Sequence, residues 1–222
     1  MMHKQHKTWE ITLSREQFKG LQKNERFWAV LTLARVVNAL RFIQVAANSP
    51  ESHDSPSVHR QIMNSCLFLG AVLYEGMAFA KSLGKHFKDM PAFSKDFGKL
   101  FEDPDVKKFH KRTLKKLRDK FVFHFDKDVA PGALRNLDLP QYVFISGRGN
   151  AVGEAYYWLA DVASVNYLLD LDGDIHEKEF LTSLSALLQR ITDLSKCFGI
   201  AADELIAAAL ESMASAMTLT YH

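Results

Sequence analysis

Cysteine is scarce in this chain. Cys66 and Cys197 are the only two among 222 residues, they lie far apart, and no C-x-x-C pattern occurs. Zinc ribbons and redox dithiols are therefore not expected, and two buried free thiols are the default state. Proline is also rare, six residues against sixteen phenylalanines, and there is no low-complexity tract, which suits a well-packed, mostly regular fold. No segment reaches about 18 uninterrupted apolar residues, so no membrane span is expected. The first ten residues are polar, with His3, Lys4, His6 and Lys7, and do not read as a signal peptide; the expectation is a cytoplasmic protein. An excess of charge of one sign is missing too. The net charge is only +2, so any attraction for nucleic acid must arise locally rather than from a global field.

What is present is helical periodicity. With 47% hydrophobic and 24% charged residues the chain can bury a substantial core, and with no fixed repeat and no strong linker residues 1–222 read as one domain. Ser14 reads as an N-cap, and Phe18, Leu21, Phe27, Val30, Leu31, Ala34, Val37 and Leu40 keep one helix going to about Ala47. Asn38 is the neutral polar side chain near its apolar face, either a buried hydrogen-bonder or part of a site. After the turn-rich break Asn48 to Pro56, a second helix is expected from Ser57 to Leu83, with Gly84 as its stop. The two make a helical hairpin. Glu75 lies in the apolar stretch Leu67 to Ala80 and calls for an ion-pair partner or an exposed position.

A short helix is expected over Ala92 to Phe101. The chain after the basic segment departs from helix: Gln141 to Ser146 is rich in β-formers, Gly147-Arg-Gly-Asn150 is turn chemistry, and a β-hairpin arm is expected at 141–158. Helix resumes from Ala160 through Leu169. Asp170, Asp172 and Asp174 imitate the start of a calcium loop, but two residues of the twelve are missing, including the glycine, so an acidic turn capping the next helix is the preferred reading. The stripe from Phe180 to Leu194 is expected to stop at Gly199, and a further short helix to run from about Leu205 to Met217. The fold class is all-α, about six helices with a small β arm.

The chain is organised around residues 106–128. Asp103-Pro104-Asp105 gives that segment a strong helix start. It carries Lys107, Lys108, Lys111, Arg112, Lys115, Lys116, Arg118 and Lys120, opposed after Asp105 only by Asp119, and it places Arg118 six positions before His124. A fixed cation beside a titratable imidazole suits chemistry on phosphates, with Lys111, Arg112, Lys115 and Lys120 as phosphate contacts for RNA or a nucleotide. The same positions also fit a plain structural reading. Phe109, Thr113, Leu117, Phe121 and His124 recur at spacings of four, four, four and three, the stripe of a helix facing a core, with lysines on the solvated side. His124, Asp126 and Asp128 offer nitrogen and oxygen ligands, but at no recognised metal spacing, and no cofactor pattern is found.

At Leu117 to Asp126 the sequence resembles the HEPN superfamily, all-helical proteins whose signature is an arginine followed by a polar residue and, after a short interval, a histidine. Here it reads Arg118-Asp119-Lys-Phe-Val-Phe-His124, about ten positions of the chain, preceded by a long helical hairpin. The resemblance implies a HEPN-like bundle and a metal-independent endoribonuclease of the toxin or defence kind. It would act as a homodimer whose two motifs share one cleft, in some cases with an antitoxin-like partner protein. On that reading His124 is general base or acid, and Arg118 binds the scissile phosphate and stabilises its developing charge. Asp119 holds the polar position, where it either adds negative charge beside the phosphate or orients and raises the pKa of His124 in the second chain. On an unbroken α-helix the arginine and histidine would stand about 120° apart, which favours a cleft shared between two chains. The competing readings are a non-catalytic module that binds RNA, nucleotide or a partner through the same cleft, and a structural helical dimer.

Overall fold

Two strands and a set of helices account for the computed structural model, which describes residues 9–47, 56–122, 158–169, 177–213 and 218–221. Strand β1 (Trp9–Thr12) leads into α1 (Arg15–Leu21), α2 (Glu25–Ala47), α3 (Pro56–Ser82) and the single turn α4 (Gly84–Phe87). A π-helical segment, Phe93–Phe97, runs into α5 (Gly98–Glu102). The basic stretch is α6 (Pro104–Phe109), a π segment (His110–Leu114), α7 (Lys115–Leu117) and another π segment (Arg118–Val122). Then come α8 (Trp158–Leu169), α9 (Glu177–Ser212) and β2 (Thr218–Tyr221). The class is all-α, with one short ladder added.

Helices α2 and α3 form the expected hairpin, pinned at both ends. Gln61 donates to the Ala46 carbonyl at the turn end, and Arg26 grips Asp89 through two 2.8 Å bonds and the His86 carbonyl at the other. The long helix α9 lies across both, tied to α2 by Arg41–Asp203 and by Gln44 to Ser195. Between them sits one apolar cluster that includes Leu33, Leu40, Leu69, Leu73, Ile191, Phe198 and Leu205. Two glycines of α3 let its neighbours approach. A Cβ on Gly70 would lie 3.0 Å from Leu117 Cδ1 and 3.2 Å from Ile191 Cδ1, and one on Gly76 would lie 2.6 Å from Val36 Cγ1. Close approach, not backbone freedom, explains these glycines.

Local signals behave as read at several places. Ser14 caps α1 with a full capping box, its hydroxyl accepting from the Gln17 amide and the Gln17 side chain accepting from the Ser14 amide. Asp103 caps α6 by accepting from the Asp105 and Val106 amides, with Pro104 in the first turn. Other expectations need correcting. The first helix is two: α1 ends at Leu21, and α2 begins at Glu25 after Asn24 has accepted from the Phe27 amide. Gly199 does not stop the last helix. Its stripe continues through Phe198, Ala202, Leu205 and Ala209, and burying that stripe outweighs the cost of one mid-helix glycine, so α9 runs unbroken to Ser212. Cys66 is buried, and burial pushes its thiol up, but Cys197 is exposed rather than buried. Asn38 faces solvent instead of the core.

The strands that are described pair with each other, Trp9 opposite Tyr221 and Thr12 opposite Thr218. Alternation in Trp9-Glu-Ile-Thr12 and Thr218-Leu-Thr-Tyr221 is the signal for them. The hairpin expected at 141–158 lies outside the described residues except for Trp158, which opens α8 instead; the acidic turn at 170–176, His124 and the end of the basic segment also lie outside them. Although no uninterrupted apolar run exists, α2 and α3 are each long and apolar enough to cross a membrane by length and composition, with windows of mean hydropathy 1.4 in Glu25–Ala46 and Gln61–Ser82. The core helices of a bundle share those properties, and the inner faces of both lie in the apolar cluster.

Candidate functional site

The basic stretch keeps the stripe read from its spacing at Phe109 and Leu117 but not at Thr113. Among its described residues Phe109, Leu114 and Leu117 are buried, whereas Thr113 is only half-buried. The π segment at His110–Leu114 explains the shift: closing a ring to i+5 delays the next inward position by one residue, from 113 to 114. Leu114 and Leu117 then pack against Gly70 of α3. The cations do not all share one face. Lys116 turns to α8, donating to the Tyr167 carbonyl with its ammonium 4.4 Å from the centre of the Tyr167 ring. Lys108 and Arg112 are exposed.

Arg118 begins the second π segment and meets α3. Its Nε donates to Glu75 Oε1 at 2.6 Å and its Nη1 to Asp119 Oδ1 at 2.8 Å. Lys115 closes on the other oxygen of Asp119. Glu75 is therefore both exposed and paired, so the two alternatives read from the sequence hold together. Lys115 first and Arg118 second hold the Asp119 carboxyl below its usual range, and Asp119 and then Glu75 keep the Arg118 guanidinium charged. Asp119 thus serves two cations of its own chain. The sequence-expected set comes together only in part: Arg118, Asp119 and Lys115 share one network, Lys111 stands beside it, and Arg112 lines none of the described cavities near it. Lys120 is half-buried in the same π segment. His124 lies outside the described residues, and the 120° expected between it and Arg118 assumed an α-helix, whereas Arg118–Val122 is π-wound.

Sequence reasoning missed the pocket next to this network. A cavity of about 340 Å³ has an apolar floor of Met77, Ala78, Phe101 and Val106, with Tyr74 and His110 on one wall. Lys81, Lys107, Lys111 and Lys115 surround it, and among the described residues no acid lines it. Among the described residues, Lys81, Lys107 and Lys111 have no carboxylate partner. His110 stacks on Tyr74, ring centres 4.6 Å apart, and its Nε2 is 3.2 Å from the Tyr74 carbonyl oxygen. An imidazole Nε2–H donates there, which leaves Nδ1 as an acceptor. Burial chiefly, with Lys81 and Lys111 nearby, pushes the His110 pKa down against the opposing pull of the Tyr74 carbonyl and Glu75. The lysine rim suits an anionic ligand, while the imidazole offers a ligand only the Nδ1 lone pair. The signal was in the sequence: Lys107 and Lys111 are one turn apart, and Tyr74 adjoins Glu75. The contribution of Lys81 required the tertiary fold.

Among the described residues no group of three or more His, Cys, Asp or Glu side chains is placed to hold a metal ion. No family model matches the chain, and neither a curated protein nor a solved structure matches it.

Proposed function

We propose that this protein is a HEPN-type, metal-independent endoribonuclease acting on RNA as a homodimer with a composite cleft. The observation that carries the reading is the joining, through Lys115, of the Arg118 network to a pocket ringed by lysines and, among the described residues, lined by no acid. A polyanionic strand can lie across the pocket, its phosphates neutralised by Lys81, Lys107 and Lys111, and reach Arg118. In the proposed reaction the RNA 2′-oxygen attacks the adjacent phosphorus as His124 removes its proton. The new bond is 2′-O–P and the bond broken is P–O5′. The 5′-oxygen leaves as a hydroxyl on receiving the proton carried by the His124 imidazolium, and the other product carries a 2′,3′-cyclic phosphate. Arg118 stabilises the charge that builds on the non-bridging oxygens.

A second reading is favoured by one specific feature. Glu75 and Asp119 already engage Arg118, so a phosphate must share or displace them. A module that binds RNA without cutting it would keep that engagement. Incubation of the pure protein with structured RNA in EDTA separates the two. Endoribonuclease action predicts cleavage by wild type and its loss in Arg118→Ala and His124→Ala; equal cleavage by all three would mark a contaminant and remove the proposal. Salt-sensitive RNA binding without turnover would establish the binding module instead.

A further inference from the structure

Helix α2 has a second face that its core packing does not use. Trp28, Leu31, Arg35, Asn38, Phe42 and Val45 are all exposed, and they recur at spacings of three, four, three, four and three. That is the alternation of the two seam positions of a heptad, the pattern by which one helix packs along another. The core of α2 lies on the opposite side, at Val30, Leu33, Val37 and Leu40. Phe42 and Val45 are 75% and 73% exposed, and Trp28 and Leu31 about half so, an unusual load of large apolar groups for a free surface. Phe68 of α3 extends the patch, and the groove between it and Phe42 encloses about 1050 Å³.

We propose that this face is the interface with a second copy of the same chain, with the two α2 helices antiparallel about a twofold axis. The charges select the direction. In a parallel pair each seam residue meets itself, which sets Arg35 against Arg35. In an antiparallel pair the two kinds of seam position meet each other, and the register is self-complementary. Trp28 then lies opposite Val45, Leu31 opposite Phe42, and Arg35 opposite Asn38, so each cation meets an amide oxygen and no like charges face. A seam from 28 to 45 spans about 27 Å and needs a helix of matching length. A second α2 has it. The longest part of the chain outside the described residues, 123–157, has no run free of proline and glycine longer than eight residues. The interface supplies the second chain that a composite cleft requires, but it stands on α2 alone, and its test reads mass rather than cleavage.

Sedimentation equilibrium on the full chain should give about twice the 25.2 kDa of one copy. Phe42→Glu and Leu31→Glu replace exposed side chains, so they should keep the helical circular dichroism and the cooperative melt. They should raise the dimer dissociation constant at least about 30-fold, the scale of an interface hot spot. Asn38→Asp is the directional test. In the antiparallel seam it sets a carboxylate opposite Arg35 and tightens the dimer, whereas in a parallel seam it sets two carboxylates face to face and loosens it. A monomeric wild type, or a dimer indifferent to Phe42→Glu and Leu31→Glu, would overturn the proposal. So would weakening by Asn38→Asp, or a monomer that binds phospholipid vesicles through Phe42.

Discussion

Replacing Gly199 by alanine should stabilise this protein, and replacing Gly76 by alanine should destabilise it. Both glycines lie inside long helices, so both substitutions gain the same helix propensity, about 1 kcal/mol. Their surroundings differ. A Cβ on Gly199 meets nothing within 4 Å, so the gain is kept, and a chain of this size should melt about 2–4 °C higher. A Cβ on Gly76 comes within 2.6 Å of Val36 Cγ1, a branched side chain with little freedom to turn away. Overpacking of this kind costs about 1–3 kcal/mol, which cancels the gain or reverses it by up to about 2 kcal/mol. Urea denaturation of the two variants, with Val36→Ala completing a double-mutant cycle, reads these terms directly. Val36→Ala should recover much of the loss in Gly76→Ala, a coupling of about 0.5–3 kcal/mol. A Gly199→Ala variant no more stable than wild type would refute the reasoning, because α9 would then end at its glycine rather than run through it.

Two further predictions concern the lysine pocket. Lys107→Glu and Lys111→Glu should each weaken RNA binding and lower the slope of log K against log salt by about one, measured by fluorescence anisotropy, with the melt unchanged. The histidine in the pocket gives a pH signature. Burial holds the pKa of His110 below its unfolded value, so the stability it protects is fully present above the ordinary imidazole range and is lost as pH falls through the lower folded value. His110→Phe should flatten that part of the stability–pH curve, below the ordinary imidazole range, and an unchanged curve would count against a half-buried neutral imidazole.

Much of the fold is legible in the sequence because local rules act there without opposition. The Ser14 and Asp103 caps, the α2–α3 hairpin and the extent of α3 follow from side chains within a few residues of one another. What the sequence hides depends on contacts distant along the chain. Gly199 looks like a stop because the burial of Phe198 and Ala202 that carries α9 through it comes from α2, α3 and the segment before α5. The shift of the buried stripe from Thr113 to Leu114 comes from π winding, which a 3.6-residue template cannot register. Arg118 and Asp119 stand out in the sequence as a charged pair with Lys115 one turn before, but Glu75, the fourth member of the network, is 43 residues away from Arg118. Lys81 and Tyr74 join the pocket only where α3 meets the basic stretch. The outer heptad of α2 is present in the sequence as well. Leu31 also fits the inner stripe by spacing, and the two patterns separate only once the core side of α2 is known.

The most direct test of the proposed composite cleft is to mix two inactive variants. Arg118→Ala and His124→Ala chains, each without activity alone, should regain part of the wild-type RNA cleavage after unfolding and refolding together, because the mixed dimer brings the arginine of one chain to the histidine of the other. Cleavage that stays absent in the mixture, with mixed dimers verified by mass, would contradict a site shared between chains.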